Sequence, residues 1–343
     1  MIKINLALQG GGAHGAFTWG VLDRILEDED IHISAISGTS AGALNAAALK
    51  AGMVKDGRGG AREALAWVWG KIGAVPQDGF TQWLNMWSPS NQVFADALEK
   101  SPAFAAMDMM QRLMSPYVYG PMLQNPLEGI LSQLDFASVC GAPGPEIYIC
   151  ATNVRSGKIR VFAGDEITPK AIMASACLPT LFQAVEIFDP RTGQTEAFWD
   201  GGYTGNPALF PLFMPHLPDD ILIVNINPLY RQELPTETQS IQNRINEISF
   251  NSSLLRELRA IDFVKRLLIQ GKLPSGTMKN VLVHMVADDA LMNTLNVATK
   301  TVAIPMMLQR LKVAGRTAAD QFLTAHKADL NKRSTVDLTA MFN

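Results

Sequence analysis

A β-branched run, Ile31-His32-Ile33-Ser34-Ala35-Ile36, leads into Gly38-Thr39-Ser40-Ala41-Gly42, and the small, helix-favouring stretch Ala43–Leu49 follows. This pattern demands a strand, a sharp turn and a helix, with a serine at the apex. Glycines at 38 and 42 permit the turn and let backbone pass close by. The helix start aims N–H groups and a positive dipole end at the serine oxygen, where they would stabilise an anion. A G-x-S-x-G match alone is weak, because Gly and Ser are common residues. Its strand-to-helix context makes Ser40 a candidate nucleophile, and the rest of the chain must then supply a base and an oxyanion site.

The first residues, Met1–Leu8, read as a strand, too short and too soon followed by glycine for a signal peptide. That strand feeds Gln9-Gly10-Gly11-Gly12-Ala13-His14-Gly15 and then a helix from Ala16 to about Glu27. A glycine-rich turn in this place presents backbone N–H groups with no side chains in the way. It suits an oxyanion loop, like the donor loop of esterases. A tight turn that serves helix–sheet packing has the same signature. Gly10-x-Gly12-x-x-Gly15 also fits a dinucleotide fingerprint, but that reading needs an acidic residue ending the second strand, where the serine turn stands instead.

Composition sets wide bounds. The chain has 343 residues, 48% hydrophobic and 18% charged, so core size is not limiting and one large α/β domain or two smaller ones would fit. The net charge of −3 gives no case for nucleic acid. Three cysteines, Cys140, Cys150 and Cys177, make no disulfide framework and favour a reducing compartment. No stretch reaches the roughly 18 to 20 apolar residues of a membrane span. The expectation is a cytoplasmic protein, at most peripheral to a membrane.

Further along, 53–60 reads as a glycine-containing linker and 61–72 as a helix. The 76–126 segment, with Trp83, Trp87 and five methionines, suits an adaptable apolar lining over a lipid site, or ordinary packing by irregular helices. Strands are expected at 146–152, 158–162, 185–188, 196–199, 221–226 and 281–286, with helices after Pro169, over 238–270 and over 301–326. Cys177, in small apolar surroundings, reads as a buried thiol. The basic residues of the 238–270 helix read as a solvated face. The strand at 196–199 empties into Asp200-Gly201-Gly202, an ordinary turn sequence that also stands at a strand end, where α/β proteins carry catalytic groups.

Two bases are open to Ser40. A triad could draw on Asp288 or Asp289 with His326, late in the chain, although no motif surrounds that histidine. Alternatively Asp200 acts directly. An ordinary aspartate, with a pKa of about 3.9, is a poor base at neutral pH, but a desolvated one bonded to a serine hydroxyl can be raised into range.

Taken together, Gly10-Gly11-Gly12-Ala13-His14-Gly15, Gly38-Thr39-Ser40-Ala41-Gly42 and Asp200-Gly201-Gly202 resemble the patatin-like phospholipase family, in the family's order. Ala174-Ser175-Ala176-Cys177-Leu178-Pro179 looks like its A-S-x-A-x-P stretch, and the helical remainder looks like the tail of a bacterial branch. The resemblance runs from about Leu6 to about Pro215. It implies a three-layer α/β/α fold with a mainly parallel sheet, in which 4–215 is the catalytic region and 216–343 an α-rich extension completing the same domain. It also implies a Ser–Asp dyad hydrolase of lipid acyl esters that needs no calcium, other metal or cofactor. By position, Ser40 is the nucleophile and Asp200 the base. Gly10, Gly11, Gly12 and Gly15, with Ala41, form the oxyanion loop, Gly38 and Gly42 frame the nucleophile turn, and Gly201 and Gly202 form the turn after the base. His14 departs from the Arg or Lys often found there, which removes a charge from the loop. The rival readings are an acyltransferase acting on thioesters, which usually carries His beside the serine where Thr39 stands, and a non-catalytic membrane- or protein-binding module.

Overall fold

The computed structural model describes residues 1–74 and 97–342, apart from positions 103, 105, 107, 108, 110–112, 120–124, 142 and 275. Trp83, Trp87, Met107, Met110 and Met122 of the expected apolar lining lie outside the described residues.

Eight strands form one sheet: β1 (Ile2–Leu8), β2 (Ile31–Thr39), β3 (Glu146–Asn153), β4 (Ile159–Ala163), β5 (Val185–Asp189), β6 (Gln194–Asp200), β7 (Asp220–Val224) and β8 (Leu282–Val286). Their order is β5-β6-β3-β2-β1-β7-β8, with β4 on β3. The pairs β1–β2, β1–β7, β2–β3 and β7–β8 are parallel, while β4, β5 and β6 add antiparallel pairs at one end. The parallel strands are apolar on both faces, as a sheet covered by helices on each side must be.

Side chains alternate between those two faces. Leu6, Leu8, Ile36, Leu222 and Val224 face a core shared with α1 (Gly15–Ile25), α2 (Ala41–Gly73) and a late helix, Pro305–His326. Ala7, Ala35, Ile221, Ile223 and Val283 face Leu254, Leu258 and Ile261 of the long helix Thr238–Ile269. The helices after α2 that matter here are α3 (Pro169–Ser175), α4 (Thr238–Ile269), α5 (Val297–Thr301) and α6 (Pro305–His326). Helices α1 and α6 touch backbone to backbone: a Cβ on Gly20 would lie 2.0 Å from the Lys312 carbonyl oxygen.

Some boundaries differ from the sequence reading. The expected linker at 53–60 is instead part of α2, which kinks at Asp56 and Gly57, where the backbone leaves helical angles. The helix expected over 301–326 begins earlier and breaks before Pro305, giving α5 and α6, because proline cannot continue the first piece. Helix α4 runs unbroken. Among the described residues no helix is long and apolar enough to cross a membrane.

One topological detail sets up the site. Strands β2 and β4 both pair with residues 148–150 of β3 and therefore occupy opposite edges of it. Strands β4 and β6 both pair with 151 and 152, so β6 lies on the same edge as β2. The two strands meet end to end: Thr39 pairs with Cys150 and Asp200 with Ala151.

Candidate active site

Ser40 joins β2 to α2 with φ 54° and ψ −119°, a conformation L residues rarely adopt. Such backbone costs on the order of 1–3 kcal/mol and persists only when its surroundings enforce it. The turn is enforced at close range, since a Cβ on Gly42 would lie 2.1 Å from the Leu8 carbonyl oxygen and one on Gly38 2.6 Å from that of Gly42. The Ser40 N–H donates to Ser175 Oγ at 2.9 Å, and that hydroxyl donates to the Cys150 carbonyl at 2.6 Å. Ser175, at the end of α3, thus buttresses the elbow.

Asp200 ends β6, which runs against β3, so this carboxyl reaches the site from a strand antiparallel to the core. Its N–H donates to the Cys177 carbonyl at 2.7 Å, and its own carbonyl accepts from Thr152 Oγ1 at 2.8 Å. The side chain is buried, with Oδ1 accepting the Gly202 N–H at 2.7 Å and Oδ2 lacking a partner. Burial pushes its pKa up to about 7, against the opposing pull of the Gly202 amide and the Ser40 hydroxyl. The Ser40 hydroxyl is therefore near enough to act on this carboxyl, although no hydrogen bond of good geometry closes onto Oδ2. Thr39 Oγ1 donates to the Gly205 carbonyl at 2.6 Å, tying the turn after Asp200 to the elbow.

The glycine loop follows β1. Gly10 sits against the nucleophile turn: a Cβ on it would lie 2.7 Å from Ser40 Cβ. Its N–H donates to Asn206 Oδ1 at 2.6 Å, and its carbonyl accepts from Asn227 Nδ2 at 2.7 Å. Two amides of this loop are already engaged. Gly10 gives its N–H to Asn206, and Gly15 gives its own to the Gly12 and Ala13 carbonyls of the preceding turn. Both also serve as close contacts, Gly15 against Ala41, where a Cβ would come within 2.5 Å of the Ala41 Cβ. Among the described residues, the amides of Gly11, Gly12 and Ala41 have no partner, as first-turn N–H groups are left by the helix itself.

His14 is buried, with Nε2 bonded to Thr299 Oγ1 of α5 at 2.9 Å and Nδ1 unpartnered. Burial first, then the charges of Lys300 and Arg231, hold its pKa well below the usual value, so the ring is neutral. Cys177 is a buried thiol whose pKa burial, then Asp200, pushes up to about 12, leaving it protonated. The late histidine and Asp288 are engaged elsewhere: His326 Nδ1 bonds Asp329 at 3.1 Å, and Asp288 caps the turn at Leu291. Sequence reasoning missed Ser175 as a buttress and Asn206, Asn227 and Gln9 as the frame of the loop. Gln9 Oε1 accepts the N–H groups of Ile226 and Asn227 just beyond β7. Only their positions at strand ends offered a signal.

A serine elbow facing a glycine loop at the carboxyl ends of adjacent parallel strands defines the class, a three-layer α/β protein with a serine at a strand-to-helix turn. The chain belongs to the patatin-like phospholipase family, whose model matches residues 6–213, and membership supports a lipid hydrolase. Two solved structures resemble it: VipD from Legionella pneumophila, at 15% identity, 94% of this chain, 67% of that one and a TM-score of 0.42, and the type III effector ExoU, at 17% identity, 94%, 53% and 0.34. The chain thus spans about two thirds of the first protein and about half of the second. No curated protein matches the sequence.

Proposed function

We propose that the protein hydrolyses acyl esters of lipids with a Ser40–Asp200 dyad. The observation that carries this reading is the buried Asp200 carboxyl, its pKa near 7 and Oδ2 unpartnered, beside a serine held in a strained elbow. A carboxyl of that pKa is half ionised at neutral pH, so it can take a proton and give it back.

Ser40 Oγ attacks the ester carbonyl carbon while Asp200 takes the hydroxyl proton. The amides of Gly11 and Gly12, with Ala41, are free to donate to the oxyanion, and each such donor contributes about 2.7–4 kcal/mol in the transition state of comparable enzymes. The tetrahedral intermediate collapses, the C–O bond to the alcohol breaks, and Asp200 returns the proton to the leaving oxygen. Water, deprotonated by the same carboxylate, then attacks the acyl-enzyme, and Asp200 passes the proton back to Ser40 Oγ as the fatty acid leaves.

Release of fatty acid from phosphatidylcholine and of p-nitrophenol from short-chain esters, by the wild type, Ser40→Ala and Asp200→Asn, tests the reading. Both variants should lose activity by at least about a thousandfold, as removal of a nucleophile or its base does elsewhere. Wild-type rates in either one would overturn the dyad.

A further inference from the structure

The glycine loop rests on α5. Gly12 has φ +57°, and a Cβ there would lie 2.3 Å from the Lys300 carbonyl oxygen. The Lys300 side chain turns to Asn227, Nζ donating to Oδ1 at 3.3 Å, and the same Asn227 donates through Nδ2 to the Gly10 carbonyl at 2.7 Å. Asn227 Oδ1 is also 3.8 Å from the place a Cβ on Gly11 would take. One hydrogen-bonded side chain therefore separates this ammonium from the loop that carries the two unclaimed amides.

The charge around Lys300 is unbalanced. Glu247, its side chain fully buried, takes Arg231 through two bonds of 2.7 and 2.8 Å and Arg244 at 3.3 Å. Lys300 Nζ stands 3.6 Å from the same carboxylate. Three cations share one carboxylate. Asp289, whose carboxyl feels Arg231, has its pKa raised by burial first and then by Asp288. The excess reaches the loop, because the charges of Lys300 and Arg231 both oppose protonation of His14.

We propose that Lys300 is an electrostatic positioning residue for the glycine loop, its ammonium held at Asn227 so that positive charge stands behind the Gly11 and Gly12 amides. The inference rests on the oxyanion reading above. A partly compensated cation that is mostly withdrawn from solvent is costly in the resting protein. It gains its missing counter-charge only when negative charge develops at the loop, and an interaction made mainly in the transition state raises kcat rather than lowering KM.

The test compares Lys300→Met and Lys300→Arg with the wild type on p-nitrophenyl butyrate, a neutral ester with no head group to bind. Lys300→Met should lower kcat roughly 10- to 100-fold with KM within about twofold, and Lys300→Arg should recover most of the loss. The wild-type kcat should also fall on the alkaline side, since burial lowers the Lys300 pKa, while the Arg variant holds its rate there. Of the other groups facing Lys300, Glu247 is held low, Arg231 is held high and His14 is held neutral, so none of these three changes charge in that range. Wild-type kcat in Lys300→Met, or equal losses in both variants, overturns the proposal. If Lys300→Met does not fold, the alkaline limb of the Arg variant decides alone: the same fall as in the wild type overturns the proposal. Ser40→Ala separates the two layers. If it retains activity the dyad reading fails, whereas an inactive Ser40→Ala with a normal Lys300→Met removes only the role of Lys300.

Discussion

Ser40 and Asp200 face each other because β2 and β6 meet end to end on one edge of β3, where Thr39 pairs with Cys150 and Asp200 with Ala151. The nucleophile turn and the carboxyl are thus fixed to consecutive residues of one strand. Ser175 spans the same point, from the Ser40 N–H to the Cys150 carbonyl. Nothing in this frame depends on a mobile side chain bringing the pair together, and it suits a base that acts over a short fixed distance.

The first consequence is a pH profile. With its pKa near 7, Asp200 is mostly protonated, and no base, at pH 6. On the dyad mechanism kcat/KM should rise with pH, with a midpoint of about 7, and level above pH 8. Initial rates with a water-soluble ester between pH 5 and 9 measure it. A flat profile over that range would show that Asp200 is not the group whose ionisation limits the reaction.

The same shift has a cost in stability. The folded-state pKa lies above the unfolded value of 3.8, so the native protein prefers the protonated acid. Stability from this group is greatest at low pH and is lost as pH rises from about 4 through 7. Asp200→Asn removes the titration while keeping the shape. Its advantage over the wild type should grow by about 1.4 kcal/mol per pH unit between pH 5 and 7 and be constant above about pH 8. Urea unfolding at pH 5, 7 and 8 checks this, and an advantage independent of pH would contradict the buried, raised carboxyl.

The elbow makes a separate prediction. Ser175→Ala leaves the Ser40 N–H and the Cys150 carbonyl buried without their shared partner, a loss worth about 1–3 kcal/mol. The strained conformation at Ser40 should relax, so kcat should fall roughly 10- to 100-fold, with KM little changed. The thermal midpoint should drop as well. Parallel assays of turnover and melting test this, and full activity would mean that the elbow is held by its glycines alone.

Much of this site was legible in the chain, and the reason is local. A strand, a glycine-flanked serine and a run of small helix formers specify an elbow within a dozen residues, and the Gly10–Gly15 loop announces itself the same way. The base was harder. Asp200 looks like any Asp-Gly turn until β6 is seen to share an edge of β3 with β2, a relation between segments far apart in the chain that no local pattern encodes. The amide ledger of the loop was also hidden, because Asn206 and Asn227, which occupy Gly10, arrive from strand ends late in the chain. The Asp56–Gly57 kink reads as a linker in the sequence because glycines and charged residues interrupt the helical pattern, while the flanking helices still pack closely enough that a Cβ on Gly52 would lie 2.1 Å from the Gly60 carbonyl oxygen.

A second buried acid allows a control on the Asp200 profile. Glu257 of α4 accepts the N–H groups of Leu209 and Phe210, both at 2.8 Å and both on Oε2, and burial pushes its pKa up to about 7 against those two bonds. Its folded pKa again lies above the ordinary value of 4.5, so the stability it supplies is lost as pH rises from about 4.5 through 7. Glu257→Gln keeps one oxygen to accept both amides and removes the charge. The variant should be more stable than the wild type at pH 8, by on the order of 1–3 kcal/mol after allowance for partial exposure, and close to it at pH 4.5. Its acid limb in kcat/KM should stay at about 7, because Glu257 bonds the segment after the Asp200 turn, at Leu209 and Phe210, and not Ser40. A limb that moved in Glu257→Gln would assign the activity profile to this carboxyl, and one that disappeared only in variants of Asp200 would assign it to the dyad.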